Sequence, residues 1–308
     1  MHEPVLREES METLAVREGG QYIDATVGDG GHALAFLAES APSGRVLGLD
    51  RDADALTVAR ERLATWSNRC SLVQANFDEI DEVATELGFD EVDGVLFDFG
   101  VRSDQLDRAE RGFSFMRSGP LDMRMDQRQT LTAADVVNEY EEQMLSDIFW
   151  RWGEERAARR ITQAIVARRS ERPFTTTDDL AAVIEKAVGG RRGRIHPATR
   201  CFMALRIEVN SELDAIRQGV EKALGLVKLG GRVAVMTYHS GEDRLVKRLL
   251  GAHVGRWESL QAGGQEWIGD LPRCVWVQKK PICPSAEEMK KNVRARSAKL
   301  RVVERTEI

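Results

Sequence analysis

Short apolar segments alternate with amphipathic segments over residues 20–100, and this alternation limits the fold more than any other feature of the sequence. Patterns typical of buried strands occur at residues 22–26, 45–50, 71–75 and 92–98. After the second of them, apolar side chains recur every 3.6 residues or so, as on a helix packed along one face. Strands that alternate with helices join through right-handed crossovers into a parallel sheet. The sequence therefore predicts an α/β fold with a Rossmann-like sheet.

The strand pattern stops near residue 105 and returns after residue 205. Two helix starts lie between these points. In each, a threonine cap is followed three residues later by an aspartate, Thr132 with Asp135 and Thr176 with Asp179, which is the spacing of a capping box. Beyond them, a helix is expected from 211 to about 228, ending at the glycines 230–231, followed by strands at 232–238, 275–277 and 300–303. We therefore expect a discontinuous sheet domain, residues 1–104 and 206–308, and a helical insertion at 105–205.

Composition favours a globular protein of the cytoplasm. Of 308 residues, 42% are hydrophobic and 31% charged, which is enough to build a sizeable core. The N-terminus lacks a secretory pattern and no apolar run reaches membrane-spanning length, so no membrane partner is expected. The four cysteines form no C-x-x-C pair, which predicts reduced thiols and no metal site. The net charge of −6 means that a nucleic acid would have to bind at local basic patches.

A glycine-rich turn follows the first predicted strand. Asp24 ends that strand, glycines stand at 28, 30 and 31, and Asp50 ends the second strand. Ligands of open parallel sheets bind at the carboxyl ends of strands, where an acidic residue can accept ribose hydroxyls. The turn lacks the last glycine of the G-x-G-x-x-G pattern, and its early acidic residues suit a cationic ligand better than a pyrophosphate. S-adenosylmethionine is therefore favoured over a dinucleotide, although an ordinary tight turn would also fit.

Two polar residues at later strand ends are candidates for catalysis. Asp98 ends the fourth strand and His239 follows the fifth. Either side chain could accept a proton from an exocyclic amine of a base, and we place Asp98 first and His239 second. A turn or helix cap for Asp98 and a structural hydrogen bond for His239 are the alternatives.

Two basic runs are candidates for binding RNA phosphates. The first, residues 189–196 and the following Arg200, includes Arg192 and Arg194, and the second, residues 290–301, includes Arg294 and Arg296. Arginine forks match phosphate oxygens, although each run by itself also fits a solvated surface. Phe113 and Phe115, at the start of the insertion, could stack on a splayed base, with packing in the core as the alternative.

Longer blocks of the sequence resemble the bacterial 16S ribosomal RNA (cytosine-N4) methyltransferases, the RsmH or MraW family. The blocks that carry this resemblance lie at residues 30–32, 49–52, 107–116, 119–126, 153–156, 196–200, 206–213 and 294–297. They run nearly from end to end of the chain and include Arg200 of the first basic run and Arg294 and Arg296 of the second.

The resemblance implies a class I S-adenosylmethionine-dependent methyltransferase sheet with a helical insertion that recognises the substrate. The implied reaction is methylation at N4 of a cytidine in the decoding region of 16S rRNA, with rRNA inside the small ribosomal subunit as partner. By motif, the implied cofactor contacts are Gly30, Gly31, His32, Asp50, Phe77, Asp98 and Gln105. The ring of Phe77 would flank adenine.

The chain departs from the family pattern at several positions near these motifs. Arg102 and Asp104 stand where the family has Ser and Pro, and Tyr238 and Gly241 stand where it has Phe and Leu. Asp98, Gln105 and His239 are kept. Two other functions fit the sheet: a nucleotide-dependent dehydrogenase, and an assembly factor that binds RNA without methylating it. A monomer and a homodimer both fit the sequence.

Overall fold

A computed structural model describes residues 4–191, 196–260 and 264–307. The chain divides into two compact units. The first comprises Met1–Gly100 with Leu213–Ile308, and the second comprises Val101–Glu212. We call them the sheet unit and the helical unit. No helix among the described residues is both long and apolar enough to cross a bilayer.

The sheet unit is built on a mixed, mostly parallel sheet. The strands in the described part of the chain are β1 Gln21–Asp24, β2 Arg45–Asp50, β3 Cys70–Gln74, β4 Val92–Asp98, β5 Val227–Thr237, β6 Arg256–Ser259, β7 Gln265–Ile268, β8 Arg273–Trp276 and β9 Lys299–Glu307. Seven of these lie in the order β3-β2-β1-β4-β5-β9-β8, and β6 pairs with β7 alone. The pairs among β1 to β5 are parallel, whereas β9 is antiparallel to both of its neighbours.

Alternate side chains of each strand enter two separate apolar layers. Ile23 and Leu47 belong to one core and Tyr22 and Val46 to the other, since successive side chains of a strand point to opposite faces. The helices of this unit are α1 Arg7–Thr13, α2 Gly31–Glu39, α3 Ala53–Arg62, α4 Ile80–Glu86, α11 Glu212–Leu226, α12 Ser240–Val254 and α13 Ala286–Lys291. Helices α1 to α3 cover one face, and α4, α11 and α12 cover the other. The α/β, Rossmann-like prediction is confirmed.

The helical unit has a core of its own. Its helices are α5 Ser103–Asp107, α6 Ala133–Glu139, α7 Glu142–Arg151, α8 Ala158–Arg169, α9 Thr177–Ala187 and α10 Ala198–Val209. The predicted start at Thr132 is confirmed as a capping box with Asp135. A loop at 123–125 is fixed by buried Asn210, whose side chain accepts the amide of Met125 at 2.8 Å and donates to the carbonyl of Met123 at 2.8 Å.

The structure differs from the sequence-based prediction around β5. The helix expected to reach residue 228 ends at Leu226, and β5 begins at Val227 and runs through the two glycines. Val227 already pairs with Val92 of β4, and the register shifts between Val92 and Gly94, so the two glycines lie in an irregular part of the strand. The hairpin of β6 and β7 was not predicted from the sequence. Trp257 and Trp267 pair across it, with ring centroids 5.6 Å apart.

Candidate active site

Three aspartates end neighbouring parallel strands of the sheet unit. Asp24 ends β1, Asp50 ends β2 and Asp98 ends β4, and β1 lies between the other two strands. After β3 the chain crosses to β4 on the far side of β1, so the strand order reverses at β1. The carboxyl ends at such a reversal are where open α/β sheets bind ligands. The three carboxyl groups thus lie at the expected position of a site.

The turn after β1 needs glycine for its backbone conformation and for space. Gly28 has a φ of 50° and Gly30 a φ of 79°, in the left-handed region that side chains other than glycine rarely adopt. A Cβ on Gly31 would lie 2.6 Å from Cγ of Pro4. The turn therefore leads tightly into α2 and can bring its backbone close to a ligand.

The carboxylate of Asp50 is oriented by two backbone amides. The N–H of Gly28 donates to Oδ2 at 2.9 Å, and the N–H of Asp52 donates to Oδ1 at 2.8 Å. These two contacts fix the direction of the carboxylate, and a carboxylate can accept about four hydrogen bonds in all. The predicted role of Asp50 towards an adenosine ribose stays a prediction.

Asp98 is held by two residues that the sequence analysis did not assign to the site. Its backbone N–H donates to Oγ1 of Thr26 at 2.6 Å, and the hydroxyl of Tyr238 donates to its Oδ1 at 2.7 Å. Its Oδ2 lies 3.7 Å from Nε2 of His32, and its side chain is 24% exposed. Asp98 is thus anchored from β1 and β5 and still reaches solvent. The available signal in the sequence was position, because Thr26 stands two residues after the end of β1 and Tyr238 directly follows β5.

Asp24 and His32 form a buried polar pair beside Asp98. Asp24 is 1% exposed and His32 is 5% exposed. Among the described residues, Oδ2 of Asp24 and both ring nitrogens of His32 have no hydrogen-bond partner. Burial, with further contributions from Asp98 and Asp50 and opposed by His32, raises the pKa of Asp24 to about 7. A buried acidic oxygen without a donor fits a cationic or donor-bearing ligand at this end of the sheet.

His239 uses its ring at the start of α12. Its Nδ1 accepts the backbone N–H of Glu242 at 3.3 Å, and its Nε2 lies 3.0 Å from Oε1 of the same residue. The latter contact is close but lacks hydrogen-bond geometry, since both atoms are without a hydrogen-bond partner among the described residues. Both nitrogens therefore face Glu242. A role for His239 as proton acceptor stays a prediction, and Asp98 has the more suitable surroundings.

Phe77 and Gln105 lie in different units. Phe77 follows β3, is 7% exposed, and packs its ring against Phe97 and Phe99 at centroid distances of 5.8 and 5.3 Å. Gln105 lies in α5 of the helical unit, where its Oε1 accepts the backbone N–H of Arg102 at 3.0 Å. Their predicted contacts with the cofactor stay predictions. The charges that depart from the family pattern pair with each other, Arg102 with Asp104 at 2.8 Å.

The two candidate stacking residues pack inside the helical unit. Phe113 is 6% exposed and belongs to its core. Phe115 is partly buried, with ring centroids 4.6 Å from His196 and 4.8 Å from Phe202. Core packing accounts for Phe113, whereas Phe115 keeps part of its ring accessible. Stacking on a base stays a prediction for both.

The candidate phosphate-binding arginines are only partly described. Arg192 and Arg194 lie outside the described residues, as does the side chain of Arg294. Arg200 of α10 is 54% exposed, with Glu155 3.8 Å away, and Arg296 is exposed. Other cations of the second run serve the fold, because Lys299 and Arg301 both bind Asp243, at 2.9 and 2.8 Å.

Comparison with known proteins gives matches along the whole chain. Residues 1–306 match the model of the MraW methylase family. A relative from Symbiobacterium thermophilum, named ribosomal RNA small subunit methyltransferase H, is 48% identical and covers 98% of this chain and 96% of its own. Relatives of the same name from Carboxydothermus hydrogenoformans and Magnetococcus marinus are 48% and 47% identical, and each covers 99% of this chain and 97% or 98% of its own.

Proposed function

The chain belongs to the MraW methylase family, and from this premise we propose that it transfers a methyl group from S-adenosylmethionine to N4 of a cytidine in the decoding region of 16S rRNA. The substrate is the RNA of the small ribosomal subunit, and the reaction takes place in the cytoplasm. The helical unit is the part proposed to recognise that substrate.

The observation that carries this proposal is the extent of the match. Sheets of this class serve many unrelated reactions, so a likeness limited to the sheet would support the cofactor alone. Here the family model spans both units, and relatives 43–48% identical over 98–99% of the chain carry the rRNA methyltransferase name. The residues that would select the substrate are thus included in the match, together with those of the sheet.

The residues at the strand ends fit S-adenosylmethionine. Asp50, held by the amides of Gly28 and Asp52, would accept the ribose hydroxyls. The glycine turn gives the adenosyl group room to approach the backbone, and the ring of Phe77 at the end of β3 would lie along adenine. The buried oxygen of Asp24 that lacks a donor would face the cationic part of the cofactor. When bound, the cofactor supplies an electrophilic methyl group.

The chain's own contribution to the reaction is position and proton transfer. The amine of cytosine is a weak nucleophile because its lone pair is delocalised into the ring. Holding the amine in line with the methyl group would supply much of the acceleration. Asp98, partly exposed and anchored by Thr26 and Tyr238, would accept a hydrogen bond from the amine and then its proton. The base must leave its stack to reach this carboxylate.

The test is methyl transfer to defined RNA. The purified protein is incubated with labelled S-adenosylmethionine and either naked 16S rRNA or small subunits from cells that lack the gene. Nuclease digestion and mass spectrometry then identify the product. We expect N4-methylcytidine in the decoding region, and a loss of roughly 100-fold or more in rate for Asp98→Ala. Label on another base or on protein, or no label with either substrate, would contradict the proposal.

A further inference from the structure

Tyr238 is fixed in place at the end of β5. Its backbone N–H donates to Oε2 of Glu242 at 2.8 Å. Its ring packs so closely on the chain after β4 that a Cβ on Gly100 would lie 3.3 Å from ring atom Cδ2. Both the backbone and the ring of Tyr238 are therefore held, and the direction of its hydroxyl is set by the fold.

The hydroxyl of Tyr238 is a hydrogen-bond donor to Asp98. The distance from the hydroxyl to Oδ1 of Asp98 is 2.7 Å, and Sδ of Met236 lies 3.3 Å away. Burial, and secondly the charge of Asp98, raise the pKa of Tyr238 well above its ordinary value of 10.0. The phenol therefore keeps its proton at any pH at which the protein works, and an ionised carboxylate can only accept.

The two oxygens of Asp98 consequently have different surroundings. Oδ1 is engaged by the phenol, while Oδ2 lies 3.7 Å from Nε2 of His32. Within the described residues no hydrogen bond reaches Oδ2. A short side chain pinned at its backbone by Thr26 and at Oδ1 by Tyr238 cannot rotate its carboxylate freely.

We propose that Tyr238 is a positioning residue for methyl transfer, which holds Oδ1 of Asp98 so that Oδ2 receives the proton of the cytosine amine. The inference rests on the proposed function. In the step, the bond between the methyl carbon and sulfur breaks as the bond between that carbon and N4 forms. The proton lost from N4 goes to Oδ2, and Tyr238 keeps its own proton. Phenylalanine at 238, which the family pattern has at this position, would keep the ring packing and release the carboxylate, so the proposed positioning is particular to this chain.

The hydrogen bond itself can be tested without any activity. The chain has only three tyrosines, so ¹³Cζ-labelled tyrosine gives three resonances, and Tyr238→Phe identifies that of Tyr238. We expect Asp98→Asn to shift the Tyr238 resonance and to leave those of Tyr22 and Tyr140 in place. An unchanged Tyr238 resonance would overturn the inference, whether or not the protein methylates RNA.

The kinetic test separates positioning from folding. We expect Tyr238→Phe to lower kcat about tenfold, with the KM for RNA and the Kd for S-adenosylhomocysteine within about twofold of wild type. In an Asp98→Asn background the same substitution should change kcat little, because its effect passes through the carboxylate. Tyr22→Phe is the matched control: its hydroxyl is also buried but accepts the amide of Arg17 at 2.9 Å, so we expect a lower Tm and an unchanged kcat.

The outcomes are distinct. If Tyr238→Phe lowers kcat as much in the Asp98→Asn background as in wild type, its effect does not pass through the carboxylate and the role of Tyr238 is overturned. A wild-type kcat for folded Tyr238→Phe would overturn that role as well. If the wild-type protein methylates no RNA, the proposed function fails, and the resonance of Tyr238 still decides whether the hydrogen bond exists.

Discussion

At the scale of single residues, Asp24 has unfavourable surroundings for a charge. It is buried at the end of β1 with one oxygen lacking a donor among the described residues, and its neighbours Asp50 and Asp98 add like charge. Desolvation of an ionised carboxylate is unfavourable unless donors or cations compensate it. The fold keeps this acid where a cationic ligand would provide that compensation, which fits a site built for binding.

Asp24→Asn should change how stability depends on pH. The pKa of Asp24 rises from 3.8 to about 7 on folding, so the folded protein holds a proton that the unfolded chain releases between these values. The contribution of this proton to the free energy of unfolding is complete below pH 4 and is lost as the pH rises to 7. Relative to wild type, the variant should therefore gain on the order of 4 kcal/mol between pH 4 and pH 8. Urea unfolding without cofactor at several pH values measures this.

Asp54→Asn provides the control for that experiment. Asp54 is an exposed acid in the first turn of α3, where its charge is already solvated. Its variant should show the pH profile of wild type. If Asp24→Asn also follows the wild-type profile, folding does not raise the pKa of Asp24.

Asp50→Ala tests the cofactor site at the same scale. Removing the carboxylate deletes the proposed hydrogen bonds to the ribose, each of them charge-assisted and contributing about 1.5–3 kcal/mol. Isothermal calorimetry should show affinity for S-adenosylhomocysteine reduced by roughly 100-fold or more. Asp54→Ala, a nearby but exposed change in the first turn of α3, should bind as wild type does. Equal affinity of the two variants would argue against ribose binding by Asp50.

At the scale of elements, the turn between β1 and α2 depends on its glycines. Gly30 precedes α2 in the left-handed conformation, and a Cβ there would lie 3.1 Å from Cδ1 of Leu63. A side chain costs energy in such a conformation and must also displace a neighbour. The turn therefore cannot be replaced by ordinary residues without altering the end of the sheet where the ligand is proposed to bind.

Gly30→Ala and Gly225→Ala should have opposite effects on stability. The first should lower the free energy of unfolding by about 1–2 kcal/mol. Gly225 is an exposed residue near the end of α11, and a Cβ added to it would have no neighbouring heavy atom within 4 Å. Its replacement should raise the free energy of unfolding by about 0.5–1 kcal/mol. Chemical denaturation measures both, and destabilisation by Gly225→Ala would contradict this account.

At the scale of the whole molecule, the two units have separate cores and the chain has a net charge of −6. The sheet unit by itself would serve a methyltransferase or a dehydrogenase, because both place an adenosine at the same strand ends. The identity of the bound cofactor is therefore a property to measure on the intact protein.

Thermal unfolding with each cofactor makes that measurement. At about 100 times its Kd, S-adenosylhomocysteine should stabilise the folded protein by about 2.7 kcal/mol, which corresponds to a rise in Tm of roughly 4 °C for a protein of this size. NAD at the same concentration should leave Tm unchanged. Stabilisation by NAD and not by S-adenosylhomocysteine would support the dehydrogenase instead.

The sequence by itself determined the parallel part of the sheet, the glycine turn and the placement of Asp24, Asp50 and Asp98 at strand ends. These features are local: the period of apolar residues states which faces are buried, and glycine marks backbone that side chains disfavour. The membership in a methylase family, inferred from motif blocks, is confirmed by the match over residues 1–306.

Only the tertiary structure decided which polar groups meet. Tyr238 and Asp98 are 140 positions apart and touch because β5 pairs beside β4 with Met236 opposite Asp98. Lys299 belongs to the second basic run, which the sequence suggests for RNA binding. In the structure it binds Asp243, because β9 lies antiparallel beside β5. Strand order and register bring such partners together, and the local periodicity of the chain predicts neither of them.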